Sequence, residues 1–378
     1  MASPLNFEPV PAESEHPNFS DAVRFPLRLI LEKGPASIQF RAIMDVAGLE
    51  LDREEVRTIA LTYGPALSLA LEQRIDGSWR NEMLTVPASE FGQFDSVGTI
   101  PAYRRLLEYG WDRETPPLQR ARRLLFRLLA EDDDPGQLYE FGKVAAGDPD
   151  LIHRARNVLR EAAAAALAHA GYEGDPRLRG AALRILGRVD AFLRSPLAQK
   201  PWIRAGNRLV LAPEAHPPSV HVLTMVAHMP LFRSENHAPV SRLLEHVSRP
   251  APRQDACQLV GKHVLEQPHL VLGDPLTTRT ASEADVPFAV TWLELMARLQ
   301  FMRQNASWMQ AFERLVGDCD RDQVWHPRRA TAKQPSTHPE AWPQFPLGRA
   351  DVEEDRWLDV TLRIGLIARL LGRPVEFV

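Results

Sequence analysis

LEQRIDGSWRN, Leu71 to Asn81, closes a long apolar helical run, VRTIALTYGPALSLALEQ, and places Gln73, Gly77 and Trp79 at the spacing Q-x3-G-x-W. A helix that ends in this way leaves free carbonyls, which a Gln side chain can satisfy from the turn. The Trp79 indole buries a large apolar face and keeps one donor for a partner. The stretch therefore predicts a helix end that is tied down rather than frayed, with Trp79 in the core.

Working outward, the same kind of helix recurs. AVRFPLRLILEK, VRTIALTYGPALSLALEQ, TIPAYRRLLEYG, LQRARRLLFRLLAE, LIHRARNVLREAAAAALAHA, LRGAALRILGRVDAFLR, SVHVLTMVAHM, APVSRLLEHVSR, DACQLVGKHVLEQ, VPFAVTWLELMARLQFM, ASWMQAFERLVGD and RWLDVTLRIGLIARLLG all repeat apolar residues at three-and-four spacing. Gly, Pro, Asp and Asn separate them, and the 32 prolines suit a chain of many helix stops. Strand-like alternation is confined to NRLVLAP. The expected fold class is all-α.

Two segments share more than periodicity. VGTIPAYRRLLEYGW and DVTLRIGLIARLLGR each carry a Thr at the head of an apolar face and a Gly eleven residues on, Thr99 to Gly110 and Thr361 to Gly372. Upstream of each is a turn with a tryptophan, Trp79 and Trp325. The predicted unit is turn, Trp, loop, inner helix, Gly, outer helix, with Pro201 and Trp202 opening a third, weaker copy. The motif Gln73, Gly77, Trp79 and this repeat resemble the Gln-Trp motif of the terpenoid cyclase and protein prenyltransferase superfamily. The resemblance runs over most of residues 22 to 378, but the clean motif occurs once; Gln323 and Trp325, two apart, depart from it. It implies an α/α toroid of repeated helix pairs around a central cavity, as one domain over residues 21–378 behind a flexible leader at 1–20.

Composition limits the function. The chain has 378 residues, 44% hydrophobic, enough for a large core. A net charge of -4 without a basic block argues against nucleic acid as a partner. Two cysteines, an opening with neither basic start nor apolar centre, and no bilayer-length apolar run lead to an expected cytoplasmic protein with no membrane span.

Catalytic residues of the resembled family are hard to find. Its alkene-protonating acids sit in D-x-D-D clusters, because a carboxyl must be kept neutral by its neighbours. Glu131, Asp133 and Asp134 in LLAEDDDPGQL read as a solvated turn; Asp318 and Asp320 in GDCDRDQ are the weak catalytic candidates left. The family's zinc ligands, an Asp and a Cys close in sequence plus a distant His, have a superficial match in Asp255, Cys257 and His263. On one continuous helix Cys257 would lie about 200° round from Asp255 and His263 about 80°, so the three would converge only if the helix begins after Cys257. Asp359 falls where the family's later His is expected. Nine of the twelve histidines lie after residue 200. His221 and His228, two turns apart with Thr224 between, form a possible cavity face.

The expected function is a toroid that binds an apolar, isoprenoid-like small molecule without the family's acid or zinc site and without any cofactor. The alternative is a helical-repeat scaffold with a protein partner. A carbohydrate-acting barrel ranks third, having modest aromatic means. Whether any reaction occurs is left open by the sequence.

Overall fold

Burial separates two kinds of helix in this chain. The computed structural model describes residues 22–48, 53–84, 98–130, 135–143, 145–277, 286–327, 346–349 and 352–378. Among these the helices are α1 (Leu27–Lys33), α2 (Ala36–Arg41, continued by a π-helical turn, Ala42–Ala47), α3 (Arg53–Leu61), α4 (Gly64–Leu71), α5 (Thr99–Glu108), α6 (Pro116–Leu128), α7 (Pro149–His169), α8 (Pro176–Arg194), α9 (Val220–Ala227), α10 (Pro230–Glu235), α11 (His237–Val247), α12 (Val286–Arg298), α13 (Ala306–Gly317) and α14 (Glu353–Leu370). In α6, α8, α11 and α13 the buried residues recur at three-and-four spacing, as in Leu118, Ala121, Leu124, Leu125 and Leu128. In α9 every residue from Val220 to Ala227 is buried, and in α7 so is the run Ala162 to Ala168. A helix buried all round must lie inside. The alanines of α7 let it touch α5, α6, α8 and α9 at once, since a methyl group permits close approach.

The inner helices follow one another in space. α5 packs on α7, α7 on α9, α9 on α12 and α12 on α14, and α14 packs on α2 and its π-helical turn. Arg41, the last residue of α2, donates to the Glu108 carbonyl at the end of α5 (3.4 Å), which returns the succession to its start. The chain ends meet as well. β1 (Val23–Phe25) pairs in parallel with β6 (Val375–Phe377).

The ends of these helices share one construction. Gly110, Gly171 and Gly372 take positive φ after α5, α7 and α14, and Gln300 does so after α12. In each the next amide reaches five residues back, Trp111 to Leu106, Tyr172 to Leu167, Arg373 to Ala368 and Phe301 to Met296, closing free carbonyls. Arginines then join neighbouring ends. Arg113 donates to Ala170 and Gly171 (3.3 and 2.7 Å), Arg233 to Arg298 (2.9 Å), and Arg303 to Leu371.

The opening motif is a clamp. Gln73 Nε2 donates to the Gly77 carbonyl (3.0 Å) and to Pro117 at the head of α6 (2.7 Å). Trp79 is buried, with Nε1 donating to Leu69 (2.7 Å) and its amide to the Thr99 hydroxyl (3.1 Å). The second copy repeats one of these bonds: the Trp325 amide donates to the Thr361 hydroxyl (2.9 Å), whereas Trp325 Nε1 is buried without a hydrogen-bond partner among the described residues. In its turn Gln323, at φ +62°, stands where Gly77 stands at +91°, and Cys319 where Gln73 stands. The copy is thus in register, with a non-glycine residue in a strained conformation. Replacing Gln323 with glycine is expected to raise stability by about 1 kcal/mol, read as a shift of the urea midpoint. No shift would mean that Gln323 is held there by compensating contacts.

The all-α expectation is corrected by six short strands. β2 (Trp202–Ala205), β3 (Arg208–Leu211), β4 (Cys257–Val260) and β5 (His263–Glu266) form a sheet in that order. DACQLVGKHVLEQ is therefore a hairpin rather than a helix, turning at Gly261 with φ +57° and Val260 opposite His263. Trp202 lies in a strand, so it does not open a third copy of the turn. The leader at 1–20 falls outside the described residues.

Candidate functional site

The inner helices leave a cavity of about 60 Å³ between them. Its wall takes Arg41 from α2, Arg104 and Glu108 from α5, His169 from α7, Val220 and Thr224 from α9, His228 just past it, Thr291, Glu294, Leu295 and Arg298 from α12, and Arg363 from α14. Four arginines thus face two glutamates. Most of these charges are paired. Arg363 donates to Glu294 (3.0 Å) and Asp359 (3.0 Å), Arg298 to Glu294 (3.0 Å), and Arg41 to Asp45. Burial raises the Glu294 carboxyl, but Arg298, Arg363 and Arg41 outweigh it and hold the group down at about 2. Glu294 is ionised at neutral pH.

Arg104 differs from the other three. It is 8% exposed, and its Nε and Nη1 are buried without a hydrogen-bond partner among the described residues. Burial lowers its basicity, with Glu108 and Glu294 acting in the opposite sense. A guanidinium nevertheless stays charged in a protein. Glu108, one turn along, is in turn without a hydrogen bond at Oε2, which lies 3.9 Å from Arg363 Nη2.

Two histidines complete the wall. The rings of His169 and His228 stand 4.6 Å apart, and His169 Nδ1 is buried without a partner. Both are held well below the usual imidazole value, by burial first; His169 is further lowered by His228 and Arg104, and His228 by Arg298 and Arg104. They are neutral at pH 7, each with one N–H to give. Thr224 and Thr291 donate to carbonyls one turn back in their own helices (2.8 and 2.7 Å), so they offer the cavity acceptors only.

The residues singled out in the sequence are scattered. Thr224 and His228 line the cavity; His221 is buried behind it, its ring stacked at 6.0 Å on His269 and pushed down to about 3 by burial and Arg104. Asp318 and Asp320 lie at the turn after α13, away from the cavity, where Asp320 accepts from the Val324 amide (2.9 Å) and meets His326 (2.8 Å). Asp255 and Cys257 line a separate groove of about 540 Å³, while His263, at the other end of the hairpin, lies 3.5 Å from Asp148. Burial, Glu266 and Asp255 raise the Cys257 thiol. Among the described residues no three His, Cys, Asp or Glu side chains gather as metal ligands. Glu131, Asp133 and Asp134 lie outside the described residues. Asp359 accepts from the Leu347 amide (3.2 Å) and from Arg363.

The sequence reading passed over Arg41, Arg104, Arg298 and Arg363. The signal for two of them was present: Arg104 interrupts the apolar head of TIPAYRRLLE, and Arg363 stands alone in VTLRIGLI. Comparison with protein-family models, with curated proteins and with solved structures found no match to this chain. Among the described residues no helix is long and apolar enough to cross a membrane.

Proposed function

We propose that the chain is an α/α toroid whose central cavity binds a small polar molecule. The observation that carries this is the convergence of side chains from α2, α5, α7, α9, α12 and α14 on one cavity, which is what a ring of inner helices does. The shared helix ends, the tryptophan clamps on Thr99 and Thr361 and the pairing of β1 with β6 support a closed ring. The likeness to terpenoid cyclases and prenyltransferases then rests on architecture and on Gln73, Gly77 and Trp79.

The apolar ligand expected from that likeness finds no matching wall. About 60 Å³ lined by arginines, glutamates and histidines is far below the roughly 300 Å³ of a small ordinary ligand pocket, and a hydrocarbon would strip these charges of water without replacing it. Glu294, held ionised, does not suit the family's alkene protonation. The test is a thermal-shift screen of small polar compounds against the protein and a cavity-filling variant, Val220→Phe. Stabilisation of the parent by several degrees, absent in the variant, is expected. Equal shifts in both would place binding elsewhere.

A second reading, a scaffold for a protein partner, is favoured by one observation. Leu67, Leu71 and Ile75 form an exposed apolar stripe along α4 and into the motif turn, with Leu71 and Ile75 nearly bare.

A further inference from the structure

We infer that the central cavity is an oxyanion site, in which the Arg104 guanidinium takes the charge of a phosphate or carboxylate group and the imidazoles of His169 and His228 donate to its remaining oxygens. This rests on the reading of the cavity as a ligand site and names what enters it. Three observations carry it.

The first is the state of Arg104. Among the described residues its buried Nε and Nη1 meet no acceptor, although Glu108 and Glu294 are close enough to be felt. A guanidinium out of water with no partner is costly, and a fold that keeps one gains stability when an anion arrives. The second is the arithmetic of the wall. Arg41, Arg298 and Arg363 are engaged by Asp45, Glu294 and Asp359, which leaves Arg104 as the cation free to act on a ligand. The third is the donor set. Thr224 and Thr291 spend their hydroxyl protons on their own helices, so the donors that meet no protein acceptor among the described residues include Arg104 and the two imidazoles rather than either hydroxyl. That donor set suits an acceptor-rich group.

Size agrees with charge. A cavity of about 60 Å³ takes a single phosphate or carboxylate group and leaves the rest of a larger ligand outside. Glu108, with Oε2 lacking a hydrogen bond, can accept from the hydroxyl of a monohydrogen phosphate. Arg104 is thereby a binding residue, and His169 and His228 set the geometry of the remaining oxygens.

The test uses the full chain, titrated at constant ionic strength with inorganic phosphate, acetate, and glycerol as a neutral control, binding being read by thermal shift and calorimetry. Saturable binding of phosphate or acetate and none of glycerol is expected. Arg104→Met should weaken anion binding by about a hundredfold or more, while the ligand-free variant melts a few degrees higher, because a buried charge without a hydrogen-bond partner has been replaced by an uncharged apolar side chain. His169→Gln, which keeps a donor, should retain most of the affinity, and His169→Leu should lose about tenfold. Phosphate against acetate decides between the two oxyanions. Val220→Phe, with Thr291→Met as a second filling variant should the first not fold, separates the two claims. Anion binding abolished by filling but untouched by Arg104→Met would overturn the assignment of Arg104 as the group that takes the charge and leave the ligand cavity standing. Binding of glycerol but no anion would overturn the oxyanion assignment as a whole and likewise leave the cavity. Anion binding unchanged by all these variants, or no binding by any probe, would overturn both.

Discussion

Trp79→Ala is expected to lower the free energy of unfolding by about 3 to 5 kcal/mol, the usual cost of deleting a large buried aromatic side chain. Two losses add. The indole is 1% exposed and packs in the main core, and its Nε1 hydrogen bond to Leu69 goes with it, while the backbone bond from residue 79 to Thr99 remains. The Leu69 carbonyl is left at a helix end without its indole donor, which adds to the cavity cost. Urea unfolding followed by far-ultraviolet circular dichroism gives the number. A loss below about 1 kcal/mol would show that the turn holds itself and that the tryptophan is not its clamp.

The second large effect is a loss of stability on mild acidification. His169, His221, His228 and His269 are all held below the ordinary imidazole value, chiefly by burial. Their folded-state values lie under the unfolded value of about 6.5, so below that pH the unfolded chain takes up protons that the folded chain refuses. The unfolded state then binds more protons, and stability rises with pH across the window. It is fully present above about 6.5 and is lost as pH falls below it. Each histidine contributes a slope of up to about 1.4 kcal/mol per pH unit, so the four together cost several kcal/mol by about pH 5. Glu294 acts lower down: its value is depressed to about 2, and its contribution is lost only as pH falls below the ordinary carboxylate range. Urea midpoints at pH 7.5, 6.5 and 5.5 should therefore fall steeply over the last step. A flat profile would mean that these imidazoles reach water. An oxyanion bound beside His169 and His228 should soften the fall, since it stabilises their protonated forms.

How much of this was legible in the sequence differs between helix and site. Periodicity located the helices because an amphipathic face is written in the residues themselves. The spacing of Gln73, Gly77 and Trp79 predicted a tied helix end because that chemistry is local. The second copy was recognised from Trp325 and Thr361, but the match of its turn was hidden, since it uses Cys319 and Gln323 where the first uses Gln73 and Gly77, and the backbone conformation shows the equivalence. The hairpin of β4 and β5 was misread because CQLV and HVLE fit helical spacing as well as alternation; the two residues between them, Gly261 and Lys262, were the available sign of a turn. The inner helices supplied a different difficulty. A helix buried all round has no polar face, so an inward arginine shows itself by breaking an apolar run, as at Arg104 and Arg363, and periodicity does not say what it meets. Which way such a side chain points is decided by neighbours far away in sequence, as Glu294 lies 69 residues from the Arg363 it pairs with.

The central claim is that a ring of inner helices holds a ligand cavity around Arg104. It is tested most directly by an electron-density map of the protein purified without added ligand and then equilibrated with phosphate. The account predicts a closed ring with α14 against α2, and a new tetrahedral density within hydrogen-bond distance of the Arg104 guanidinium, bordered by His169 and His228. A map in which Arg104 turns into an ion pair with Glu108 or Glu294 and the cavity stays empty in phosphate would contradict it.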